Sequence, residues 1–317
     1  MRALIFCALF LPAAVLAQYP NQPLKMVVGF GPGSTTDAIA RTLATGLAAG
    51  LQQPVVVENK AGALSTIATD AVARSRPDGY TLLVGANSGM STAPAGLVRN
   101  LRYDPLADFE PIGTMVQTPY ILLVDPKLPV ATADQLVTWM QQNPRRATCA
   151  SGNANGRVYC EAFKRLRLAD ATSVPYKSTP DAITDVIGGQ VSMVFLDLVS
   201  ALPRIRAAQL KPLLIMTAER SALIADVPNK REAGYADFPT NYGWQALFAP
   251  ARLPKPIQQR LNQALNKVLS TPDVRRQLEQ SGFDVLTGSP DDLRTFLKRD
   301  LDAWRRLVKE LDLQPEG

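Results

Sequence analysis

Residues 24–41 of the chain have the sequence LKMVVGFGPGSTTDAIAR. A short apolar run ends at the glycine-rich segment 29–33, after which apolar residues recur at Ile39, Leu43 and Leu47. The run has the length of a β-strand, and the four-residue spacing is typical of an α-helix. This stretch therefore predicts a strand, a tight loop and the N-terminus of a helix.

A junction of this kind can bind an anion. The first turn of a helix has N–H groups without intrahelical partners, and the macrodipole adds roughly half a positive charge. A carboxylate can be held there without Arg or Lys. The simpler interpretation is that Ser34 caps the helix and Asp37 completes a capping box, which is compatible with binding because one side chain cannot satisfy every free N–H. The predicted ligand-binding residues of this segment are Gly33, Ser34, Thr35, Thr36 and Asp37, with Asp37 either a cap or a ligand contact.

The first 17 residues, MRALIFCALFLPAAVLA, are typical of a cleavable secretory signal. A charged start precedes an apolar core that is too short to span a bilayer comfortably. We expect cleavage after Ala17 and an exported, soluble mature chain. Loss of Arg2 leaves 33 Lys and Arg against 28 Asp and Glu, a net charge of +5. This charge is dispersed, and no basic stripe of the kind that nucleic acid needs is present in the sequence.

Histidine is absent from the sequence. Its absence excludes Ser-His-Asp and Cys-His catalysis and the usual mixed zinc sites. Enzymes that use paired carboxylates or lysine remain open. The composition therefore favours a binding protein over an enzyme, with no metal and no cofactor expected.

Apolar runs of strand length alternate with helical patterns along most of the chain. This alternation predicts a parallel sheet with right-handed crossovers, in which ligands bind at the carboxyl ends of the strands. The loop after the third strand, residues 85–89, adds Ser88 to the predicted site. Strands at 120–124 and 244–248 are predicted to cross between two lobes. Lobe 1 is then expected to comprise residues 18–122 and 244–317, and lobe 2 residues 123–243.

A second strand–loop–helix junction is predicted in the other lobe, with its strand at 147–149 and its helix at 157–166. It repeats the arrangement of the first junction, so the two could contact one ligand from both sides. The predicted site residues here are Ser151, Asn153, Ala154 and Asn155. Asp197 ends a later strand facing the same cleft, where it either accepts hydrogen bonds from loop amides or contacts a ligand ammonium or hydroxyl group. Lys177 is expected to form a structural ion pair, with a ligand contact as the less favoured alternative.

Several short motifs occur in an order and spacing that together support a family resemblance. The chain resembles the Bug family, the extracytoplasmic solute receptors of tripartite tricarboxylate transporters, also called the TctC family. The resemblance covers essentially the whole mature chain. It rests on YP at 19–20, VVGFGPGSTTD at 27–37, PVVVEN at 54–59, DGYTLL at 78–83, YDPLADFEP at 103–111, VPYK at 174–177, GGQV at 188–191 and LFAP at 247–250.

The resemblance implies an α/β fold of the type II periplasmic binding protein class. Each of two lobes has a central, mostly parallel sheet flanked by helices, and two crossing strands hinge the lobes. A member of this family captures a small organic carboxylate through loop amides and delivers it to membrane permease subunits. We expect a periplasmic monomer without catalytic activity. The alternatives are a ligand sensor that docks a signalling partner and, less favoured, a secreted enzyme that uses carboxylates.

The chain departs from the family pattern at several positions. Ser34 stands where glycine is frequent, and Leu64 lies in a loop that is commonly PGAGG-like, where it would narrow the pocket or add an apolar wall. Tyr159 stands where His is common. Arg157 could supply a cation for a second carboxylate or simply be solvated in the first turn of its helix.

Two cysteines, Cys149 and Cys160, remain in the expected mature chain. In an oxidising compartment they could form a disulfide that stabilises the fold by roughly 3 kcal/mol. Two buried free thiols are the alternative.

Overall fold

The structure is a computed structural model that describes residues 19–167, 171–240 and 242–315. The predicted signal peptide, residues 1–17, lies outside the described residues. Within the described ranges, every helix is too short or too polar to cross a membrane.

The described strands form two separate sheets. The first has the order β11-β4-β10-β3-β1-β2, and the second has the order β7-β6-β8-β5-β9. The strands are β1 (Leu24–Val28), β2 (Val55–Asn59), β3 (Thr81–Ala86), β4 (Phe109–Thr118), β5 (Tyr120–Val124), β6 (Thr148–Ser151), β7 (Thr172–Pro175), β8 (Met193–Asp197), β9 (Lys211–Ile215), β10 (Gly243–Pro250) and β11 (Asp284–Val285).

Both sheets are mixed, with most strands pointing the same way. In the first sheet β1, β2 and β3 are parallel, and β10 is antiparallel to both β3 and β4. In the second sheet β6, β7 and β8 are parallel, and β5 is antiparallel to its neighbours β8 and β9. The strands β5 and β10, which follow the two crossings, are thus reversed within their sheets. The predicted two-sheet α/β architecture is confirmed.

Helices flank both sheets, and most follow predicted amphipathic segments. One helix was not predicted: α6 contains Pro203, a residue that favours a helix break. A π-helical segment, Ser88–Leu97, also contains a proline, Pro94. The helices are α1 (Thr35–Leu51), α2 (Thr66–Ala73), α3 (Ala133–Gln142), α4 (Ala154–Arg167), α5 (Thr179–Ile187), α6 (Leu198–Arg206), α7 (Lys255–Leu269), α8 (Pro272–Gln280) and α9 (Pro290–Glu310).

Helix α1 shows how the opening stretch produces the first lobe. Its apolar residues Ile39, Leu43 and Leu47 are almost completely buried, in one cluster with β1 and α7. Burial of such a side chain contributes roughly 1.5–3 kcal/mol. The helix is therefore fixed against the sheet along its length, and this fixes the position of its N-terminus at the end of β1.

The two crossings between the sheets lie side by side. The first is at Pro119, between the end of β4 in one sheet and the start of β5 in the other. At the second, Gly243 pairs with Thr118, and a Cβ atom on Gly243 would lie 3.3 Å from the Tyr120 ring. All residues of β5 pair within the second sheet. The lobe boundaries at 122/123 and 243/244 stay predictions.

Candidate functional site

The loop before α1 is held by a network centred on Asp37. Ser34 is the N-cap, and its Oγ accepts a hydrogen bond from Asp37 N at 3.2 Å. The carboxylate of Asp37 accepts from Gly33 N (3.0 Å), Arg41 Nε (3.0 Å) and Asn59 Nδ2 (2.9 Å). The predicted capping box is therefore wrong in its second half, since this carboxylate binds the amide of Gly33 rather than that of the N-cap. Burial raises the pKa of Asp37, but these hydrogen bonds outweigh it and leave the pKa below its usual value.

Asp197 connects the two lobes. It is the N-cap of α6, with Oδ1 accepting from Ser200 N at 2.9 Å. The same oxygen accepts from the hydroxyl of Thr35, in the first turn of α1, at 2.7 Å. The side chain is buried, and this burial raises the pKa of Asp197 although the hydrogen bonds from Thr35 and Ser200 oppose the shift. Two helix N-termini from different lobes thus meet at one carboxylate.

A second polar contact between the lobes joins the loop after β3 to the first turn of α4. Asn87 Nδ2 donates to Asn155 Oδ1 at 2.9 Å, and both side chains are buried. Next to it, Asn153 Oδ1 accepts from the Tyr120 hydroxyl (3.0 Å) and from Gly156 N (2.9 Å). Burial raises the pKa of Tyr120, so its hydroxyl stays protonated and remains a donor.

Between these contacts lies a cavity of about 30 Å³, which we call the inner cavity. Its volume corresponds to only one or two water molecules. A small organic molecule needs more room than the inner cavity alone provides. Among the described residues of its wall, none is Lys or Arg. They are Phe30, Ser34, Thr35, Thr36, Ala86, Asn87, Ser88, Thr118, Tyr120, Asn153, Thr179, Asp197, Gly243 and Gln245.

The structure brings part of the predicted site together at this cavity. Six predicted residues line it: Ser34, Thr35, Thr36, Ser88, Asn153 and Asp197. The other five, Gly33, Asp37, Ser151, Ala154 and Asn155, are not among its lining residues. Their ligand roles remain predictions.

The wall also contains residues that sequence reasoning missed. Tyr120 and Gly243 come from the crossings, and Gln245 faces the cavity from β10 with its Oε1 buried and unpartnered among the described residues. Asn87 follows β3, one residue before the predicted Ser88. In the sequence, the only indication of a role for these residues was their position next to a predicted crossing or at the end of a predicted strand. This position does not show which side chains face the cavity.

The second junction is held by a disulfide. Cys149 in β6 and Cys160 in α4 are bonded, with their Cα atoms 5.9 Å apart. Of the two alternatives for these cysteines, the structure therefore has the bridge. Arg157, whose role was left open, lies outside the described wall of the inner cavity, and its guanidinium donates to the carbonyl oxygen of Gln314. Tyr159 is buried and stacks on Phe195 with 5.3 Å between ring centroids.

Within the described ranges, no three Cys, Asp or Glu side chains lie close enough together to hold a metal ion.

Comparison with known proteins agrees with this geometry. BugT of Bordetella pertussis is 32% identical over 294 residues, covering 92% of this chain and 90% of BugT. The structure of the periplasmic binding protein BugD superimposes with a TM-score of 0.89 at 31% identity, covering 94% of this chain and 100% of BugD. MatC from Rhodopseudomonas palustris, with bound malate, gives a TM-score of 0.86 at 31% identity, covering 92% of this chain and 100% of MatC. The model of the tripartite tricarboxylate transporter family receptor, TctC, matches residues 39–313, and the chain belongs to this family.

Proposed function

We propose that the protein is a periplasmic receptor that captures a small organic carboxylate between its lobes and delivers it to a tripartite tricarboxylate-type permease. One observation carries the proposal: the N-terminus of α1 and the loop before α4, from opposite lobes, meet at one cavity. Family membership and the malate bound to MatC support the ligand class. The proposal includes no catalytic step.

The inner cavity offers hydrogen-bond donors without a full positive charge. The cap formed by Ser34 satisfies the N–H of Asp37, and the remaining first-turn amides of α1, including that of Thr36, have no intrahelical partner. The hydroxyls of Ser88 and Thr179 lie in the same wall. A carboxylate bound there would interact with dipoles, and the helix macrodipole adds to their effect.

Asp197 limits which carboxylates fit. An ionised Asp197 repels a nearby ligand carboxylate, because like charges disfavour one another at short range. A ligand that carries a hydroxyl or ammonium group beside its carboxylate could donate to Asp197 in place of Thr35. We therefore assign Asp197 the role of accepting a hydrogen bond from such a ligand. Asp37 is assigned a positioning role, since it holds the loop at Gly33 and does not line the cavity.

A ligand screen on the mature protein, residues 18–317, tests the proposal. Thermal unfolding is measured with simple carboxylates, hydroxycarboxylates, amino acids and uncharged sugars. A ligand at 100 times its Kd stabilises the folded state by about 2.7 kcal/mol, which is readily detected. Carboxylates are expected to raise the melting temperature. If a sugar raises it and no carboxylate does, the proposal is wrong.

Export and delivery have separate tests. Mass spectrometry of periplasmic protein is expected to find a chain that starts at Gln18. Uptake of the identified carboxylate is expected to fall when the gene for this protein is deleted. Turnover of the bound carboxylate by the purified protein would contradict the receptor assignment and favour the enzyme alternative.

A further inference from the structure

A second, larger cavity lies in the same cleft. We call it the outer cavity; its volume is about 390 Å³. Phe30 lines both cavities, so they are neighbours along the cleft. Lobe 1 contributes residues after β1 and β2, and lobe 2 contributes residues after β6 and at the end of β7. The described lining residues are Gly29, Phe30, Ala61, Gly62, Ala63, Leu64, Ser65, Gly152, Pro175, Tyr176 and Lys177.

The wall of the outer cavity differs in chemistry from that of the inner cavity. Its side chains are mostly small or apolar, with Phe30, Leu64 and Pro175 the larger apolar groups. The Tyr176 hydroxyl donates to Asp185 at 2.6 Å and is therefore already occupied. Leu64 forms part of the wall, as its place in the sequence predicted. The outer cavity can therefore accommodate the apolar part of a ligand.

Lys177 is the single charged side chain among the described residues of this wall. It is exposed, and it forms no ion pair or hydrogen bond with any other described residue. The structural ion pair predicted for Lys177 is therefore not formed with any residue that the structure describes. An ammonium group at the edge of an apolar cavity is a suitable partner for an anion that enters the cleft.

The loop that presents Leu64 is held in an unusual conformation. Ala63, Leu64 and Ser65 have φ values of +46°, +52° and +73°, a conformation that costs L-residues roughly 1–2 kcal/mol each. The Ser65 side chain is buried against Gly29, where an added Cβ would lie only 1.9 Å from Ser65 Oγ. Such strain persists where the surrounding structure enforces it, and it is concentrated at functional sites. The loop is therefore a fixed part of the wall.

We propose that Lys177 is a ligand-binding residue and that the cleft takes an elongated dianion, one carboxylate at the inner cavity and a second anionic group at Lys177. This inference rests on the proposed function. The apolar spacer between the two charges packs against Phe30 and Leu64. The two ends are recognised by different means, dipoles and hydroxyls at the inner end and a full positive charge at the outer end. A dicarboxylate that lies wholly within the inner site does not reach Lys177.

The test compares ligands that differ only in the second carboxylate. Binding of α,ω-dicarboxylates of increasing length, and of the monocarboxylates of equal length, is measured by calorimetry. The proteins are wild type, Lys177→Gln and Lys60→Gln. Lys60 is a matched control, because it is a partly exposed lysine that follows β2 but pairs with Glu58 at 3.2 Å and lies outside the cavity wall. Both substitutions remove one positive charge, so they change long-range attraction alike.

We expect wild type to bind an elongated dicarboxylate about two- to fivefold more tightly than its monocarboxylate partner, a range set by exposed ion pairs. Lys177→Gln should remove this preference, whereas Lys60→Gln should keep it, and the two variants should bind the monocarboxylate with equal affinity. Because Lys177 is exposed, its replacement leaves the fold intact, which an unchanged melting temperature confirms.

Two other outcomes overturn different statements. If carboxylates bind but Lys177→Gln and Lys60→Gln give the same preference, Lys177 is not a ligand-binding residue and the proposed function stands. If none of the carboxylates binds to wild type, including the hydroxycarboxylates and amino acids of the ligand screen, the proposed function itself fails.

Discussion

Reduction of the Cys149–Cys160 disulfide should destabilise the protein by about 3 kcal/mol. The two cysteines are separated by 11 positions, so the bridge closes a short loop. Loop-closure entropy for about 11 residues corresponds to roughly 2.8 kcal/mol at 25 °C. Both residues are fully buried, so a reductant reaches the bond only when the second lobe opens. The reduced protein should therefore be compared after unfolding and refolding in dithiothreitol.

The assay is urea unfolding monitored by tryptophan fluorescence, with and without dithiothreitol. With an m-value near 3 kcal/mol per M, a loss of about 3 kcal/mol lowers the midpoint by about 1 M. The double variant Cys149→Ala/Cys160→Ala is the control and should not respond to dithiothreitol. Equal midpoints for the oxidised and reduced wild type would refute the calculation. Two free thiols in the mature protein, detected by mass spectrometry under non-reducing conditions, would refute the bridge itself.

Three further substitutions test individual contacts. Thr35→Val removes the hydroxyl that donates to Asp197. Loss of a donor to this buried carboxylate should lower the unfolding free energy, measured by urea titration, by about 1–3 kcal/mol. An unchanged unfolding free energy would mean that this contact between the lobes is not formed in solution. Burial raises the pKa of Asp197, so the folded state binds more protons than the unfolded state as this group titrates. The contribution of Asp197 to the unfolding free energy is therefore present at low pH and is lost as the pH rises through the raised pKa. The side chain introduced by Asp197→Asn cannot titrate. As the pH is lowered from 7 toward 4, the melting temperature of wild type should therefore rise relative to that of this variant. If the two melting temperatures change in parallel with pH, the raised pKa of Asp197 is contradicted. Ala63→Gly relieves a left-handed residue and should raise the unfolding free energy by about 0.5–1 kcal/mol, whereas Ala49→Gly on the exposed face of α1 should lower it by a similar amount; equal effects would show that the loop is not strained.

Features determined by local sequence were predicted well. The junction at the start of α1 depends on an apolar run, small loop residues and a regular apolar spacing, all within about 20 positions. Ser34 was correctly predicted as the cap of α1. The second lobe repeats the same arrangement at β6 and α4, so its junction was also found. Helix α6 was missed because Pro203 indicates a break when its neighbours in the fold are unknown.

Features that depend on distant parts of the chain were not predicted. Gln245 reaches the inner cavity because β10 inserts beside β3, a pairing between residues about 160 positions apart. The contact of Thr35 with Asp197 joins two lobes, and the partner of Asp37 depends on how the loop turns at Gly33. Local sequence patterns do not show which distant residues come into contact. Motif order identified the family, but only the folded chain shows which residues share a wall.

The position of β10 also has a consequence for how the chain acquires its structure. The second sheet is built from one continuous segment, residues 120–215, and all its pairings can form once that segment has emerged. The first sheet has β10 between β3 and β4, so the facing edges of these strands stay unpaired until residues 243–250 arrive. Long-range pairing is slow, and open strand edges are prone to aggregation. A chain that ends before residue 243 would thus have every strand of the second sheet but only β1, β2 and β3 paired in the first, because both neighbours of β4 lie beyond that point.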